Sequence, residues 1–333
     1  MADLTLSELV TINDRNLQDV DIPCFMNTSP FMRTNQAVIA SHDTIHKWLV
    51  YDNPDAGFRD VNTGRTLNTS VDSFNHTNCK ILDASFQIDL ALAQSYAKGG
   101  SAGWVNREAS RALDSAFFKA ETQVFNGTAT GATGDSDDWA DSPGTGDGDN
   151  DGFYGLPNYF GSLSQTNGVV NAGGSTALTS VWLVRSAATD VEIITGRSGD
   201  ISMGDTTIQR MADAISPAIT SYPTLYTPIH AWYALKVSSP GSGSGSRPSC
   251  VRICNVDAGS NTVTDDLIFS ALEKFGVGYQ PTHIYMNRRS REQLRSSRTA
   301  TNGTGSPAPL PTEVGGLPVV VTDGITNSEA AVT

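Results

Sequence analysis

The longest uninterrupted helical pattern in this sequence, from Ser101 to Gly127, constrains the fold more than any other stretch. It contains no proline, and Asn126-Gly127 offers a left-handed stop that glycine adopts easily. Its apolar side chains recur three or four residues apart: Val105, Ala109, Ala112, Leu113, Ala116, Phe117, Ala120 and Val124. The pattern predicts a helix over 101–126, about 35–40 Å long at about 1.5 Å per residue. Because one face is mostly alanine, a sheet or loop can approach this helix closely.

The composition is that of a globular, loop-rich chain. Of 333 residues, 38% are hydrophobic and only 17% are charged, with 31 glycines and 15 prolines. A chain of this length can bury a substantial core and suggests about two domains. The net charge of −13 argues against a protein that neutralises many phosphates to bind DNA tightly.

The amino terminus does not look like a targeting signal. Met1 is followed by ADLTLSELV, which lacks the basic start and the apolar core of a secretory signal. No window approaches the 18 apolar residues of a membrane span. We therefore expect a soluble protein of cytoplasmic origin with no membrane partner.

The first third of the chain has few apolar residues. Residues 1–37 show little periodicity and predict an extended arm. Residues 38–82 predict a long hairpin, in which strands near 38–51 and 71–82 flank turn-forming clusters. Because this hairpin lacks the apolar residues for a core of its own, we expect neighbouring subunits to order it.

The remaining elements alternate irregularly, which predicts a mixed α+β chain. Residues 178–195 and 205–216 show helical patterns, and residues 229–237 and 250–256 look like paired strands across a Pro/Gly/Ser-rich loop. Further predicted elements are a helix at 265–275, a strand at 283–287, a basic helix at 288–298 and a strand at 317–322.

Two short motifs have the ligand types of metal sites. Asp147, Asp149 and Asp151, with Gly152 after them, match the first half of a calcium loop, but position twelve is Asn158 instead of glutamate. A calcium-dependent binding module is therefore one alternative function, and a solvated acidic loop is the other interpretation. His42 and His46 have the spacing of a zinc-protease pair, yet their flanks favour a strand and the intervening acid is aspartate.

No catalytic constellation can be assembled from the sequence. The chain has five histidines and no nucleophile elbow, phosphate-binding loop or dinucleotide fingerprint, so we do not expect an enzyme or a cofactor. Cys250 and Cys254 share one face of a strand and are best interpreted as buried small hydrophobes. The five arginines of 288–298 could contact phosphates, pair with acids of another subunit, or form a solvated helix face.

Short motifs follow one another in a definite order over nearly the whole chain. They are Lys47–Tyr51, Phe58-Arg59-Asp60-Val61-Asn62, Ile88-Asp89, Asn126-Gly127, Tyr154-Gly155-Leu156-Pro157, the strands around Trp232 and Val251–Asn255, Tyr285-Met286-Asn287-Arg288, and Gly316-Leu317-Pro318-Val319 through Asp323 to Glu329. In this order the chain resembles the major capsid proteins of tailed bacteriophages, which have the HK97-like fold.

The resemblance implies a definite architecture. It implies an N-terminal arm (1–37), an extended E-loop hairpin (38–82), and a peripheral domain (83–160 and 229–256) that holds the spine helix 101–126 and an acidic insert, 128–152. The remainder, 161–228 and 257–333, would form an axial domain. Candidate inter-subunit contacts are Trp48, Phe58, Arg59, Asn62, Arg288 and Arg291.

The resemblance also implies partners and a location. The chain would self-assemble as hexamers and pentamers into an icosahedral head around double-stranded DNA, touching the DNA by weak, non-specific contacts. A portal and a scaffold would take part in assembly, and a decoration or cement protein could bind outside. The protein would be found in the virion, and in the host cytoplasm before assembly. An encapsulin-like compartment shell is the alternative with the same fold.

The acidic insert suggests how like charges are kept apart. A subunit of charge −13 must lie near packaged DNA, and screening acts over about 8–10 Å at physiological salt. We therefore expect Asp135 to Asp151 to face outward, as a surface loop or a docking site for a decoration protein. The DNA-facing surface should be close to neutral.

Overall fold

A computed structural model of the chain describes residues 28–50, 57–64, 73–96, 100–127, 152–199, 201–212, 221–238, 247–303 and 306–333. The α-helices are α1 (Pro30–Thr34), α2 (Leu90–Gln94), α3 (Gly100–Asn126), α4 (Leu156–Tyr159), α5 (Asp265–Leu272) and α6 (Arg288–Thr301). No helix in these ranges is both long and apolar enough to cross a membrane.

The strands form four sheets. They are β1 (Ala37–Ile39), β2 (Ile45–Val50), β3 (Ser73–Asn78), β4 (Lys80–Asp83), β5 (Phe86–Asp89), β6 (Val169–Asn171), β7 (Thr179–Val184), β8 (Val191–Thr195), β9 (Ser202–Met203), β10 (Thr207–Ala212), β11 (Ser221–Thr227), β12 (Ile229–Val237), β13 (Cys250–Val256), β14 (His283–Met286), β15 (Glu313–Val314) and β16 (Leu317–Val321). Strand order is β15-β16-β14-β7-β13-β6 in the largest sheet and β1-β8-β12-β4 in the next, where β9 also pairs with β12. The smaller sheets are β10-β11-β5 and β2-β3.

The six-stranded sheet is buried on both faces. On β7, Val181 and Leu183 face α5 and α6, while Trp182 and Val184 face the core that contains α3. All six residues of β7 and all seven of β13 are consequently buried. A strand covered on both sides is continuously apolar and loses its period-two signal. For this reason the predicted helix over 178–195 is wrong, and β7 and β8 occupy that stretch.

The pairing of the strands corrects two further predictions. Strand β12 pairs antiparallel with β8 and with β4, whereas β13 pairs with β7 and β6 in the other sheet. Residues 229–237 and 250–256 are therefore strands, as predicted, but they do not pair with each other. The predicted helix over 205–216 is wrong over 207–212, where β10 forms a ladder with β11 in the three-stranded sheet, and residues 213–216 lie outside the described residues.

The spine helix is confirmed, as α3, with bounds within one residue of the prediction. Its buried face carries the predicted positions Val105, Ala109, Leu113, Phe117, Ala120 and Val124. Ala112 and Ala116 are only partly buried. This face packs into the main core together with Trp182, Leu235 and Tyr285 from the two large sheets. The small alanine side chains let the sheets lie close to the helix axis.

Close packing of the spine helix gives a first test. Ala109 is fully buried, so Ala109→Leu adds three carbon atoms to a filled core and should destabilise the unassembled chain by about 1–3 kcal/mol. Ser115→Leu, on the exposed side of the same helix, is the matched control and should change stability by less than about 0.5 kcal/mol. Denaturant unfolding measures both, and equal stabilities would contradict tight packing along this face.

The ends of the predicted hairpin belong to the body of the protein. β1 pairs in parallel with β8, and β4 pairs with β12, so both lie in the five-stranded sheet. Of the four strands that the structure places in the predicted hairpin, β1 to β4, only β2 and β3 form a separate two-stranded sheet. The peripheral and axial boundaries stay a prediction.

Candidate subunit contact surface

The β2–β3 hairpin forms a two-stranded sheet of its own. The two strands pair antiparallel, from Ile45 opposite Asn78 to Val50 opposite Ser73. Directly opposed residues of an antiparallel pair share a face. One face therefore carries His46 and Trp48, and the other carries Leu49 opposite Phe74.

Large apolar side chains of this hairpin point into solvent. Phe58 and Val61, in the segment 57–64, are fully or almost fully exposed, and Phe74 on β3 is 74% exposed. Arg59 and Asn62, predicted contact residues with Phe58, lie in the same exposed segment, where Arg59 donates to the Thr63 carbonyl at 3.3 Å. Single exposed apolar residues are common, but three between the start of β2 and the end of β3 indicate a surface that another molecule covers.

The opposite face of the hairpin turns toward the body. His46 is buried, and its ring stacks on Trp48 with 6.1 Å between centroids. Burial, followed by the charge of Lys236, lowers the pKa of His46. Trp48, predicted as a contact residue, is only partly exposed and packs within its own subunit. His42 lies in the exposed turn before β2, and the described residues contain no cluster of three groups that could hold a metal.

The arginine helix α6 uses most of its charges inside the subunit. Four of its five arginines have partners in the same chain: Arg288 with Asp323, Arg289 with the Ala177 carbonyl, Arg295 with Glu292, and Arg298 with Asp265. Arg291 is half-buried. The pKa of Glu292 is lowered mainly by its hydrogen bond with Arg295, and the charge of Arg291 adds to this effect. Of the two predicted contact arginines, Arg288 is the more exposed, with 76% of its side chain accessible.

A groove of about 610 Å³ runs along the spine helix beside Arg288. It is lined by Thr28 and Pro30 from the start of the described chain, by Arg111 and Phe118 of α3, and by residues 321–323. At its edge the Thr28 hydroxyl donates to Asp114 at 2.8 Å. The groove therefore lies where the predicted arm meets the body.

A buried carboxyl group, Glu121 of α3, contacts Thr322, which lines this groove. Its Oε2 accepts from the Phe31 amide at 2.8 Å, and its Oε1 accepts from the Thr322 hydroxyl. Burial raises the pKa of Glu121 to about 7. One side chain thus joins the arm, the spine helix and the chain beyond β16.

The carboxyl-terminal segment is held to the six-stranded sheet by a second buried group. Arg252 on β13 pairs with Glu329 at 2.8 Å, donates to the Ser180 hydroxyl at 2.9 Å, and lies over the Trp182 ring. The Arg252 guanidinium also donates to the Phe160 carbonyl at 3.0 Å.

The last residues are fixed by a polar clamp. The Asn255 side chain donates to the Val332 carbonyl at 3.0 Å and accepts from the Val332 amide at 2.9 Å, which imitates a backbone pair. Its own backbone is in the left-handed region, at φ 55°, which asparagine tolerates better than most residues. The chain therefore ends against the body.

Both ends of the acidic insert lie at one place. The Gly155 amide donates to the Gly127 carbonyl at 3.1 Å, at the end of α3. A side chain at Gly155 would meet the Gln123 carbonyl at 2.3 Å, so only glycine fits there. The calcium candidates Asp147, Asp149 and Asp151 lie outside the described residues.

The cysteine prediction is confirmed, whereas several contributors to the surface were not found from the sequence. Cys250 and Cys254 are both buried in the main core. Val61 and Phe74 were not singled out, although each stands alone in a polar stretch of a predicted hairpin, which was a usable signal. Glu121 and Arg252 had no such signal, because their partners are 90 and 77 residues away.

Comparison with known proteins was made against families, curated sequences and solved structures. A family model described as "Major capsid protein GP7" matches residues 18–333. No curated protein matches the sequence.

Three solved structures illustrate the likeness in fold. A chain of bacteriophage Epsilon15 has a TM-score of 0.57 at 15% identity, covering 90% of this chain and 88% of its own. The bacteriophage JBD30 capsid has a TM-score of 0.47 at 10% identity, and the match covers 97% of this chain and 99% of the JBD30 chain. The SrpI encapsulin complex of Synechococcus elongatus has a TM-score of 0.40 at 8% identity, and the match covers 70% of this chain and 90% of the encapsulin chain. Only the first is close enough to support the HK97-like fold.

Proposed function

Because this chain belongs to the Major capsid protein GP7 family, and so is a structural capsid protein, we propose that its copies assemble as hexamers and pentamers into the icosahedral head of a tailed phage. The observation that carries the proposal is the β2–β3 hairpin. Phe74 on β3, and Phe58 and Val61 in the segment between its strands, are exposed in the subunit and would become buried against a neighbouring subunit.

Assembly of this kind relies on many modest contacts. A stable interface between two proteins buries about 1,200–2,000 Å² in total. A hairpin and an arm let one subunit touch more than one neighbour, and linked contacts strengthen each other without any being tight. Arg288 and Arg291 are proposed to add polar contacts between subunits; Arg288 is exposed, and Arg291 is half-buried on the same helix.

The enclosed cargo is proposed to be double-stranded DNA. A subunit of charge −13 makes tight phosphate binding unfavourable, so contacts with DNA would be weak and independent of sequence. A portal and a scaffold would act during assembly in the host cytoplasm. The chain on both sides of the insert 128–152 lies beside Gly127, as expected for a surface insertion, and we propose the insert as the docking site of a decoration protein.

Electron microscopy of the purified chain tests the proposal. We expect closed shells of uniform diameter when the protein is concentrated, or when it is produced together with its scaffold. Nuclease-protected DNA in particles from a lysate would support the phage head. Closed shells that contain an enzyme and no nucleic acid would instead indicate an encapsulin-like compartment. Only monomers or small oligomers under every condition would contradict assembly.

A further inference from the structure

We infer that Glu121 positions the segment 28–35 on the spine helix, and that gain of a proton by its carboxyl group strengthens this attachment. The inference concerns the folded subunit itself and does not depend on which shell the subunit builds.

The first support is the contact geometry. Glu121 is fully buried, and its Oε2 accepts from the Phe31 amide at 2.8 Å. Burial raises the pKa of its carboxyl group, whereas the neighbouring Phe31 and Met32 amides act to lower it. These are the amides of the first turn of α1, which have no partner inside a helix. Ser29, the residue before α1, supplies no side-chain cap. Glu121 therefore does for α1 what a capping residue normally does.

The same carboxyl group holds the chain after β16. Its Oε1 contacts the Thr322 hydroxyl, and the Gly324 amide donates to that hydroxyl at 2.9 Å. Five residues further along α3, Asn126 donates to the Gly324 carbonyl at 2.8 Å. Phe31 itself packs edge-on against Phe125, so the arm attaches to the spine by apolar as well as polar contacts.

The charges around Glu121 disfavour its ionised form. On the chain after β16, Asp323 raises its pKa further, and Arg288 of α6 is paired with that same Asp323. On β14 the neighbour is Tyr285, a neutral hydroxyl bonded to Thr34 and Asn35. Arg33 of α1 is exposed. Within the described residues, Glu121 forms no ion pair, so its negative charge would be buried without a cation.

The protonated form keeps every contact. The carbonyl-like Oε2 still accepts from the Phe31 amide of α1, and the proton on Oε1 can be donated to the Thr322 hydroxyl oxygen. The Thr322 contact then reverses direction without a change of position. Protonation therefore removes the buried charge and leaves the contacts of both carboxyl oxygens in place.

The sign of the pH dependence follows from this. The pKa of Glu121 is about 7 when the segment is docked, against 4.5 for an ordinary glutamate. Docking is strongest below pH 4.5, and it weakens as the pH rises through about 7. Between pH 6 and pH 8 the docking equilibrium should fall roughly tenfold.

Hydrogen exchange on the full-length, unassembled chain tests the inference. The measured quantity is the protection of amides in 28–35, corrected for the chemical exchange rate at each pH. We expect roughly tenfold lower protection at pH 8 than at pH 6 in the wild type. Glu121→Gln imitates the protonated group, so its protection should stay at the wild-type pH 6 level throughout. Glu108→Gln, an acid on the same helix outside this cluster, should keep the wild-type slope.

Two outcomes would overturn the inference: protection that does not vary with pH in the wild type, or a slope that persists in Glu121→Gln. A third variant guards against failure of the glutamine variant to fold. Asp323→Asn removes the neighbouring negative charge, so it should move the midpoint of the wild-type transition to lower pH. A midpoint that stays in place would also contradict the assignment to Glu121.

Discussion

Replacing Arg252 by alanine is expected to destabilise the unassembled chain by about 3–5 kcal/mol. The substitution leaves Glu329 as a buried carboxylate without its cation, and it leaves the Ser180 hydroxyl and the Phe160 carbonyl without their donor. An unpaired buried charge costs far more than the loss of an exposed ion pair, which is worth about 0–1 kcal/mol. Arg252 also covers the Trp182 ring, so packing is lost together with charge.

Three variants separate these contributions in denaturant unfolding. Arg295→Ala breaks the more exposed pair with Glu292 on α6 and is the matched control, with an expected cost below about 1 kcal/mol. The double variant Arg252→Met, Glu329→Met replaces both charges with apolar side chains and should recover most of the loss. If Arg252→Ala cost no more than Arg295→Ala, the buried pair would not be holding the carboxyl-terminal segment.

The sequence was most informative where one local rule decided the structure. The spine helix has a period near 3.6, no proline and a glycine just after its end, so its bounds could be predicted to within one residue. The basic helix and the strand before it were also found. Their signals lie within a dozen residues and do not depend on distant partners.

The sequence failed where tertiary burial removed the local pattern. Residues 179–184 and 191–195 are buried at every position, so the alternation of apolar and polar side chains that marks a half-buried strand is missing. The short apolar runs Val181–Val184 and Ile193-Ile194 do not distinguish a strand from a helix. Pairing of 229–237 with 250–256 was a guess from proximity in sequence. These two strands, β12 and β13, lie in different sheets, and no local sequence pattern could reveal this.

The candidate surface was predicted in part. A hairpin without a core was recognised from composition, and Phe58, Arg59 and Asn62 do lie on its exposed segment. Trp48 was expected at the same surface, but alternation along β2 turns it to the other face. Whether any of these residues contacts a neighbour stays a prediction.

The largest effect on assembly is expected from charge on the exposed hairpin. Burying a side chain such as Phe58 contributes about 1.5–3 kcal/mol at an interface, and Phe58→Asp replaces this gain with the cost of desolvating a carboxylate. Each 1.4 kcal/mol is a factor of ten in an equilibrium constant, so a loss of about 3 kcal/mol per subunit raises the concentration needed for assembly about a hundredfold. Val61→Asp, in the same exposed segment, should act in the same direction.

The effect should appear in assembly and not in the stability of the subunit. Phe58 is fully exposed in the subunit, so Phe58→Asp should leave denaturant unfolding of the unassembled chain unchanged within about 0.5 kcal/mol. Phe58→Leu, which keeps an apolar side chain, is the matched control and should still assemble. Sedimentation across a concentration series, with electron microscopy of the fast fraction, measures the threshold. Shells formed by Phe58→Asp at the wild-type concentration would mean that Phe58 remains in solvent after assembly, and the subunit contacts would then have to lie elsewhere on the hairpin or along the arm.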